Sequence, residues 1–425
     1  MWKRKHPTVL IAGAGPIGMT AAISLLRQGI DFEIVDKASG PGRHSKACML
    51  APETMEFLND MGILDEVLAR AIRLHAIQLF DGGKRLTNLS LGDLPTPFPF
   101  IASIPQVELE EILLEQIELA GKKVLWNHRV AGVQHRNEGL CVEVDRIGEH
   151  MMGYAVMHEE KLVDATIRFF PKILLAADGF HSLIRRLGKV EYEKVGDDLG
   201  SLLFEVRRNP REDPVLKLGF SKEGYSAYIP LPHGIGRFGF TSKLIEEHSA
   251  DRDKSHRIYD EDLEKFPELS ETHFKALVKE RMPSQLDKVK DVTWRASVPF
   301  GVRLSESIWN QDTFFLGDAA RSGFPIGAKS LNLGIPEAGA VVAALQVYLK
   351  SGDDSKLVAV ADDIRMEWED LSSLVYFASD GNGKTSEPGV DPNLILQALP
   401  LTGKDLEYVA NKLAKVLHSD FVVAH

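Results

Sequence analysis

The stretch Thr8–Val35, TVLIAGAGPIGMTAAISLLRQGIDFEIV, restricts the fold of this chain more than any other. Val9-Leu10-Ile11-Ala12 is short, apolar and β-branched enough to read as a buried strand. Gly13-Ala14-Gly15-Pro16-Ile17-Gly18 follows at once, then Met19–Gln28 with apolar residues at helical spacing. A second strand, Phe32–Val35, is closed by Asp36, 23 residues after Gly13. Strand, glycine turn, helix, strand and acid in this order form a dinucleotide-binding βαβ unit. Gly13 permits the tight turn, Gly15 lets the backbone approach a pyrophosphate, and Gly18 lets the helix pack on the strand. Pro16 and Ile17 open the helix, whose free N–H groups and partial positive charge suit phosphate. Asp36 stands where a ribose diol can donate hydrogen bonds to it.

Composition narrows the partners. A net charge of −11 leaves no basic surface on which nucleic-acid binding could rest. Leu10–Leu26 is broken by three Gly, Pro16 and Ser24, so neither a membrane span nor a secretory signal is expected. Cys48 and Cys141 provide no disulfide framework, and no HExxH-type spacing suggests a metal site. A reduced, cytoplasmic, metal-free protein of two or three domains is the expectation from 425 residues.

Further along, Lys37–Arg43 is a Gly/Pro loop in which Arg43 can grip phosphate oxygens, or can be a solvated loop residue. Pro52–Met61 and Leu64–Ala71 read as helices, and Ile77–Phe80 with Arg85–Leu91 as a hairpin. Val107–Ala120 is an amphipathic helix introduced by Gln106. Strand-like segments follow at Lys123–Trp126, Ala131–Gln134, Leu140–Arg146, Lys161–Phe170 and Ile173–Ala177, with a turn-rich piece at Gly148–Glu160. From Asp197 to about Lys290 the pattern becomes antiparallel strands, then a charged helical stretch at Ile245–Lys279, which suggests an inserted domain. Strand patterns return at Trp294–Pro299 and Thr313–Leu316, and Leu331–Tyr348 reads as a long helix. The tail after Ser351 is mainly helical around a Gly/Pro-rich loop at Asp380–Pro392. Gly234-Ile235-Gly236-Arg237-Phe238-Gly239 also matches GxGxxG, but a strand follows it, so a hairpin turn is the better reading.

Three signatures occur in order: GAGPIG, AADGFHSLIRR over Ala176–Arg186, and FLGDAARSGFPIGAKSLNLGIPEA over Phe315–Ala338. Together they resemble the group A FAD-dependent monooxygenases, the aromatic hydroxylases typified by para-hydroxybenzoate hydroxylase and the phenol-hydroxylase-like enzymes. SKACMLAPETMEFLNDMG and Ile104–Leu114 extend the resemblance. It implies an α/β fold with a Rossmann-like FAD domain of the glutathione-reductase type, an inserted antiparallel substrate sheet and a helical C-terminal region. The corresponding boundaries are residues 1–75, 100–196 and 291–350 for FAD, 76–99 and 197–290 for substrate, and 351–425 for the tail.

The resemblance also implies residue roles. Lys37 and Arg43 would join the glycine turn and Asp36 at the adenosine pyrophosphate, Gln106 would reach the ribityl chain, and Val130 would present backbone to adenine. Gly317 and Asp318 would contact the ribityl chain; the plain reading of Asp318 is an N-cap of a short helix, and the two roles are compatible. Asp178 would serve both FAD and the nicotinamide donor. Pro325-Ile326-Gly327-Ala328 would run along the isoalloxazine, with the N–H groups of Leu331 and Asn332 stabilising negative charge on reduced flavin. Tyr225, Arg321, Phe324 and Pro325 would lie on the substrate side, Tyr225 by similarity to a tyrosine at this strand. No residue is implied as a catalytic nucleophile. The implied reaction uses NAD(P)H and O2 to hydroxylate a phenol-, polyketide- or quinolone-like molecule through a flavin C4a-hydroperoxide.

Several positions depart from the family's usual pattern: Arg321 for His, Lys329-Ser330-Leu331 for Gln-Gly-Met, Pro336 for Asp and Glu53 for Arg. Pro336 is expected near the start of its helix, where a missing N–H costs little. An accessory FAD protein without turnover, a reductase or a halogenase is the alternative. The halogenase's paired tryptophans are replaced by tyrosines in Gly224-Tyr225-Ser226-Ala227-Tyr228-Ile229-Pro230.

Overall fold

A computed structural model describes residues 4–42, 47–81, 83–136, 139–152, 158–209, 211–221, 224–243, 266–379 and 392–417. Its centre is a six-stranded sheet in the order Trp309–Asn310, Thr313–Phe315, Ile173–Ala176, Val9–Ala12, Phe32–Val35 and Val124–Leu125. Val9–Ala12 pairs in parallel with Phe32–Val35 on one side and Ile173–Ala176 on the other. These strands are covered on both faces, which is why their sequences are apolar without alternation. The helix Pro16–Arg27 packs on this sheet and on the helix Lys329–Ser351, which shares the same core. A four-stranded sheet of Arg4–Lys5, His158–Phe169, Gly139–Met152 and His128–Arg136 adds Val142, Val144 and Phe169 to the same core.

That last sheet corrects one expectation. The piece expected to be turn-rich at 148–160 is strand at both ends, where the ladder runs on from Arg146↔Ala165 to Met152↔His158 after a bulge at Arg146/Ile147; residues 153–157 lie outside the described residues. Gly148-Glu149-His150-Met151-Met152 has no apolar–polar alternation, so the pattern that marks a strand is missing from the sequence.

The second large sheet has eight strands, in the order Arg321–Ser322, Val292–Ser305, Tyr192–Arg207, Ile235–Lys243, Gly224–Leu231, Leu216–Ser221, Ala76–Asp81 and Lys84–Ser90. Its pairings are antiparallel except between Leu216–Ser221 and Ala76–Asp81. Val292–Ser305 therefore belongs to this sheet, and the boundary expected at residue 291 falls before a strand that the second sheet claims. Tyr225 and Tyr228 point to opposite faces, as their spacing requires. Tyr225 joins the cluster with Leu218 and Ile229, whereas Tyr228 joins Phe204, Phe238 and Phe240. The helix Glu271–Arg281 covers the phenylalanine face through Phe274, stacked 4.3 Å from Phe204. The rest of the helical stretch expected at 245–279 lies mostly outside the described residues.

The second GxGxxG is a hairpin, with His233 and Gly234 at positive φ between Gly224–Leu231 and Ile235–Lys243. Gly236 is needed because a Cβ there would come within 2.7 Å of the Tyr228 ring on the paired strand. The helix Lys329–Ser351 is, among the described residues, the one long and apolar enough to cross a membrane; here Val341, Val342 and Leu345 are buried in the core. The tail forms the helices Ser355–Ser379, Pro392–Ala398 and Gly403–Leu417, and the loop expected at 380–392 is outside the described residues except for Pro392.

Candidate cofactor and substrate site

The three signatures, far apart in the chain, meet at the carboxyl ends of the parallel strands. A Cβ on Gly13, at φ +107°, would fall 2.1 Å from Ala177 O, and one on Gly18 would fall 2.0 Å from Gly13 O. Gly13 and Gly18 are thus fixed by packing against the second signature and within the turn. Gly15 differs: a Cβ there meets nothing within 4 Å, so its backbone is open to an approaching group. Ile17 carries the contact onward, since Cβ atoms on Gly317 and Gly334 would come within 3.0 and 2.7 Å of its side chain. Glycine turn, Asp178 loop and Gly317-Asp318 loop therefore form one rim.

Within that rim Asp36 accepts from Ala14 N–H and Ala38 N–H, each at 2.7 Å, which holds the glycine turn against the end of the second strand. Lys37 is exposed beside it. Asp178 Oδ2 accepts from the N–H groups of Leu183 and Ile184, capping the Leu183–Leu187 helix, while Oδ1 is buried with no partner among the described residues. Burial pushes the Asp178 carboxyl above its usual range. Arg185, whose role the sequence reading missed, ties this loop to the next. Its guanidinium donates to Ala319 O at 2.8 Å and Phe180 O at 2.9 Å, and lies 3.6 Å over the Tyr192 ring. Asp318 is exposed inside the short 3-10 turn Gly317–Ala319 and is not its cap, which is Leu316.

Gln106 Oε1 accepts from Ala47 N–H at 3.2 Å, and its amide donates to Glu110 at 2.8 Å. Glu110, also missed, accepts from Gly42 N–H at 3.2 Å. These bonds grip both ends of the segment that contains Arg43, itself outside the described residues. Val130 is buried at a bulge in its strand.

The flavin loop of residues 325–332 needs two corrections. The helix starts at Lys329, after Ala328 in a left-handed conformation at φ +51°. Asn332 N–H therefore already donates to Ala328 O at 3.1 Å, and the first-turn N–H groups without an i−4 partner in the helix belong to Lys329, Ser330 and Leu331. Asn332 instead works through its side chain, which accepts from Ala51 N–H and donates to Met49 O and Ala328 O. Pro336, placed in the helix interior by the same early start, is the second correction.

Two substrate-side expectations also change. Arg321 is fully buried, paired with Glu337, with its guanidinium 4.7 Å from the centre of the Trp368 ring. Phe324 is 3% exposed and meets the same Trp368 ring at 5.3 Å. Both are held by the Ser355–Ser379 helix, an element whose packing no local pattern near residue 321 announces. Pro325 is half-buried and Tyr225 is 4% exposed, with its hydroxyl raised well above the usual tyrosine range by burial. A groove of about 850 Å³ between Arg70, Glu111, Arg208 and His233 contains none of the residues expected at the cofactor.

A family described as FAD binding domain matches residues 6–367. The chain belongs to this FAD binding domain family. Among curated relatives, the flavin-dependent monooxygenase of Mycobacteroides abscessus is 24% identical over 93% of this chain and 78% of its own length. The 6-methylpretetramide 4-monooxygenase of Streptomyces rimosus is 34% identical over 33% of this chain, a stretch that spans 26% of that relative. In fold, the chain is similar to the p-nitrophenol 4-monooxygenase PnpA from Pseudomonas putida, with a TM-score of 0.71 at 17% identity, covering 99% of this chain and 100% of that one. PqsL of Pseudomonas aeruginosa, solved with 2-aminobenzoylacetate, gives 0.67 at 19% identity, over 87% and 96%.

The FAD binding domain has residues that fit the cofactor. The uncovered backbone at Gly15 suits a pyrophosphate, and the N–H groups opening the Pro16–Arg27 helix face the same rim. The unpartnered Asp178 Oδ1 is an acceptor in place for a hydroxyl or N–H.

Proposed function

We propose that the chain is an FAD-dependent monooxygenase that takes electrons from NAD(P)H and inserts one oxygen atom of O2 into an aromatic small molecule. The convergence of Gly15, Asp178 and Gly317-Asp318 on one rim, bridged by Ile17 and Ala177, is the observation that carries this reading. The balance is arene, O2, NAD(P)H and a proton giving hydroxyarene, water and NAD(P)⁺. FAD, when bound, supplies the redox chemistry and oxygen activation. The chain's own residues bind, orient and exclude water.

In this reading Gly13–Gly18 and Asp36 hold the adenosine pyrophosphate, with Lys37, Arg43 and Val130 beside it. Gln106 and Asp318 hold the ribityl chain, and residues 325–328 border the ring system. The N–H groups of Lys329, Ser330 and Leu331 provide the positive end of a helix toward it. The substrate lies between that loop and the Tyr225 face of the second sheet. The names of relatives that act on 6-methylpretetramide and p-nitrophenol favour a planar, oxygenated ring compound.

The test is to purify the full chain, measure bound FAD by absorbance, and follow NAD(P)H oxidation against a panel of phenols. Substrate-stimulated oxidation with one ¹⁸O atom from ¹⁸O2 in the product is the expected result. A colourless protein that does not take up FAD, or oxidation giving only hydrogen peroxide with every phenol, overturns the proposal.

A further inference from the structure

Residues 395–401 lie where the flavin loop meets the second sheet. Ile395, Leu396, Leu399 and Leu401 are each at most 2% exposed and share one apolar cluster with Tyr225 and Ile326. The approach is close at the backbone as well. A Cβ on Gly327 would come within 2.6 Å of Gln397 O and 3.2 Å of Leu399 O, so this loop glycine is required by the C-terminal segment. Two side chains of the FAD binding domain fasten it. Lys329 Nζ donates to Leu401 O, and Glu53 accepts from the Thr402 hydroxyl at 2.8 Å. Both are positions at which the sequence departs from the family's usual pattern.

One polar group interrupts this apolar wall. Gln397 is 6% exposed, and its side-chain nitrogen is buried with no hydrogen-bond partner among the described residues. A buried donor left unpaired is costly to the free protein, and the cost is recovered when a ligand oxygen completes the bond. A site with such a donor also rejects analogues that lack the matching atom.

We infer that residues 395–401, packed against the flavin loop, form a side wall of the substrate chamber, and that the Gln397 amide is a specificity-determining donor for an acceptor oxygen, a phenolate or ring carbonyl, on the aromatic substrate. The inference rests on the flavin-dependent reading above. Lys329 and Glu53 are positioning residues that set where the wall stands.

The test uses the full-length, FAD-loaded protein. Its flavin absorbance is titrated with 4-nitrophenol, 4-hydroxybenzoate and 1-naphthol, and with naphthalene as the ring without an acceptor oxygen. Gln397→Leu keeps the volume and removes the donor; Gln397→Met is the second variant should leucine disturb folding. The expected result is that at least one hydroxyarene perturbs the flavin spectrum, and that both variants weaken its Kd tenfold or more. FAD content and thermal midpoint should be little changed, because the donor removed has no hydrogen-bond partner among the described residues. A glutamine with a merely structural role would lower the midpoint and leave Kd alone. Unchanged Kd in both variants overturns this inference and leaves the monooxygenase reading standing. A wild-type protein that holds FAD while none of the three hydroxyarenes perturbs it overturns the aromatic-substrate reading, and this inference with it.

Discussion

Thr54 Oγ1 lies 3.0 Å from the carbonyl oxygen of Asn332, the acceptor that Pro336 leaves open for want of an N–H. In an uninterrupted helix the residue at 336 would bond back to 332. A proline in this interior position removes that bond and ordinarily costs about 3 kcal/mol. Here a threonine from the Pro52–Asp60 helix replaces it and also meets Asn332 Oδ1 at 2.9 Å. The break is thereby used to attach the Pro52–Asp60 helix to the start of the helix behind the flavin loop.

Thr54→Val keeps the shape and removes the donor. It should destabilise the fold by about 1–3 kcal/mol, the cost of a buried carbonyl left unpaired. Thr54→Ser should retain most of the stability. Urea unfolding of the two variants checks this, and equal midpoints for valine and wild type would show that the carbonyl finds another donor.

The glycine turn separates packing from binding. Gly13→Ala would drive a methyl into Ala177 O at a φ that L-residues avoid, so little folded protein should be recovered. Gly15→Ala meets open space and should fold normally, yet hold FAD at least tenfold more weakly because the methyl occupies the approach to the pyrophosphate. Circular dichroism together with FAD titration distinguishes the two. FAD affinity unaffected in Gly15→Ala would place the pyrophosphate elsewhere.

Arg321 and Glu337 form a pair in which the arginine has no exposure, and its Nε and Nη1 atoms have no hydrogen-bond partner among the described residues. Glu337→Leu removes the carboxylate paired with that guanidinium, leaving only the burial-raised Glu367 carboxyl to offset it, and should cost about 3–5 kcal/mol. Arg321→Met combined with Glu337→Leu should recover most of the loss, since two apolar side chains beside Trp368 carry no desolvation penalty. A double-mutant cycle by urea unfolding gives the answer; additive losses would mean that the pair is not coupled.

The glycine turn and the strands around it were legible because their reasons are local: a turn that demands glycine, a helix that needs an N-terminus, strands buried on both faces. The helix start at Lys329 was not, because Ala328 adopts a left-handed conformation without the glycine that usually signals it. Nor were the roles of Arg321 and Phe324, whose shared partner Trp368 is on a later helix. The C-terminal wall was hidden for the same reason. Its residues read only as part of a mainly helical tail, and the side chains that fasten it lie 72 and 349 positions away in the chain.

The buried charges behind the flavin loop give the stability a particular pH dependence. Burial, reinforced by Glu337, raises the Glu367 carboxyl to about 7 from an ordinary 4.5, with Arg321 and Lys329 opposing. Between those values the folded chain keeps a proton that the unfolded chain releases, so stability falls as pH rises through this window. Asp405, raised to about 6 by burial and the nearby Glu56 and Glu53, acts in the same direction below pH 6. Lys329 has the opposite sign. Burial lowers it to about 7 from 10.5, so above pH 7 the unfolded chain holds the extra proton and stability rises with pH. These groups together should leave a dip near pH 7. Unfolding free energies at pH 5, 7 and 9 should show Glu367→Gln flattening the acid limb and Lys329→Met flattening the alkaline one. Profiles parallel to wild type in both variants would mean that neither group titrates where its surroundings place it.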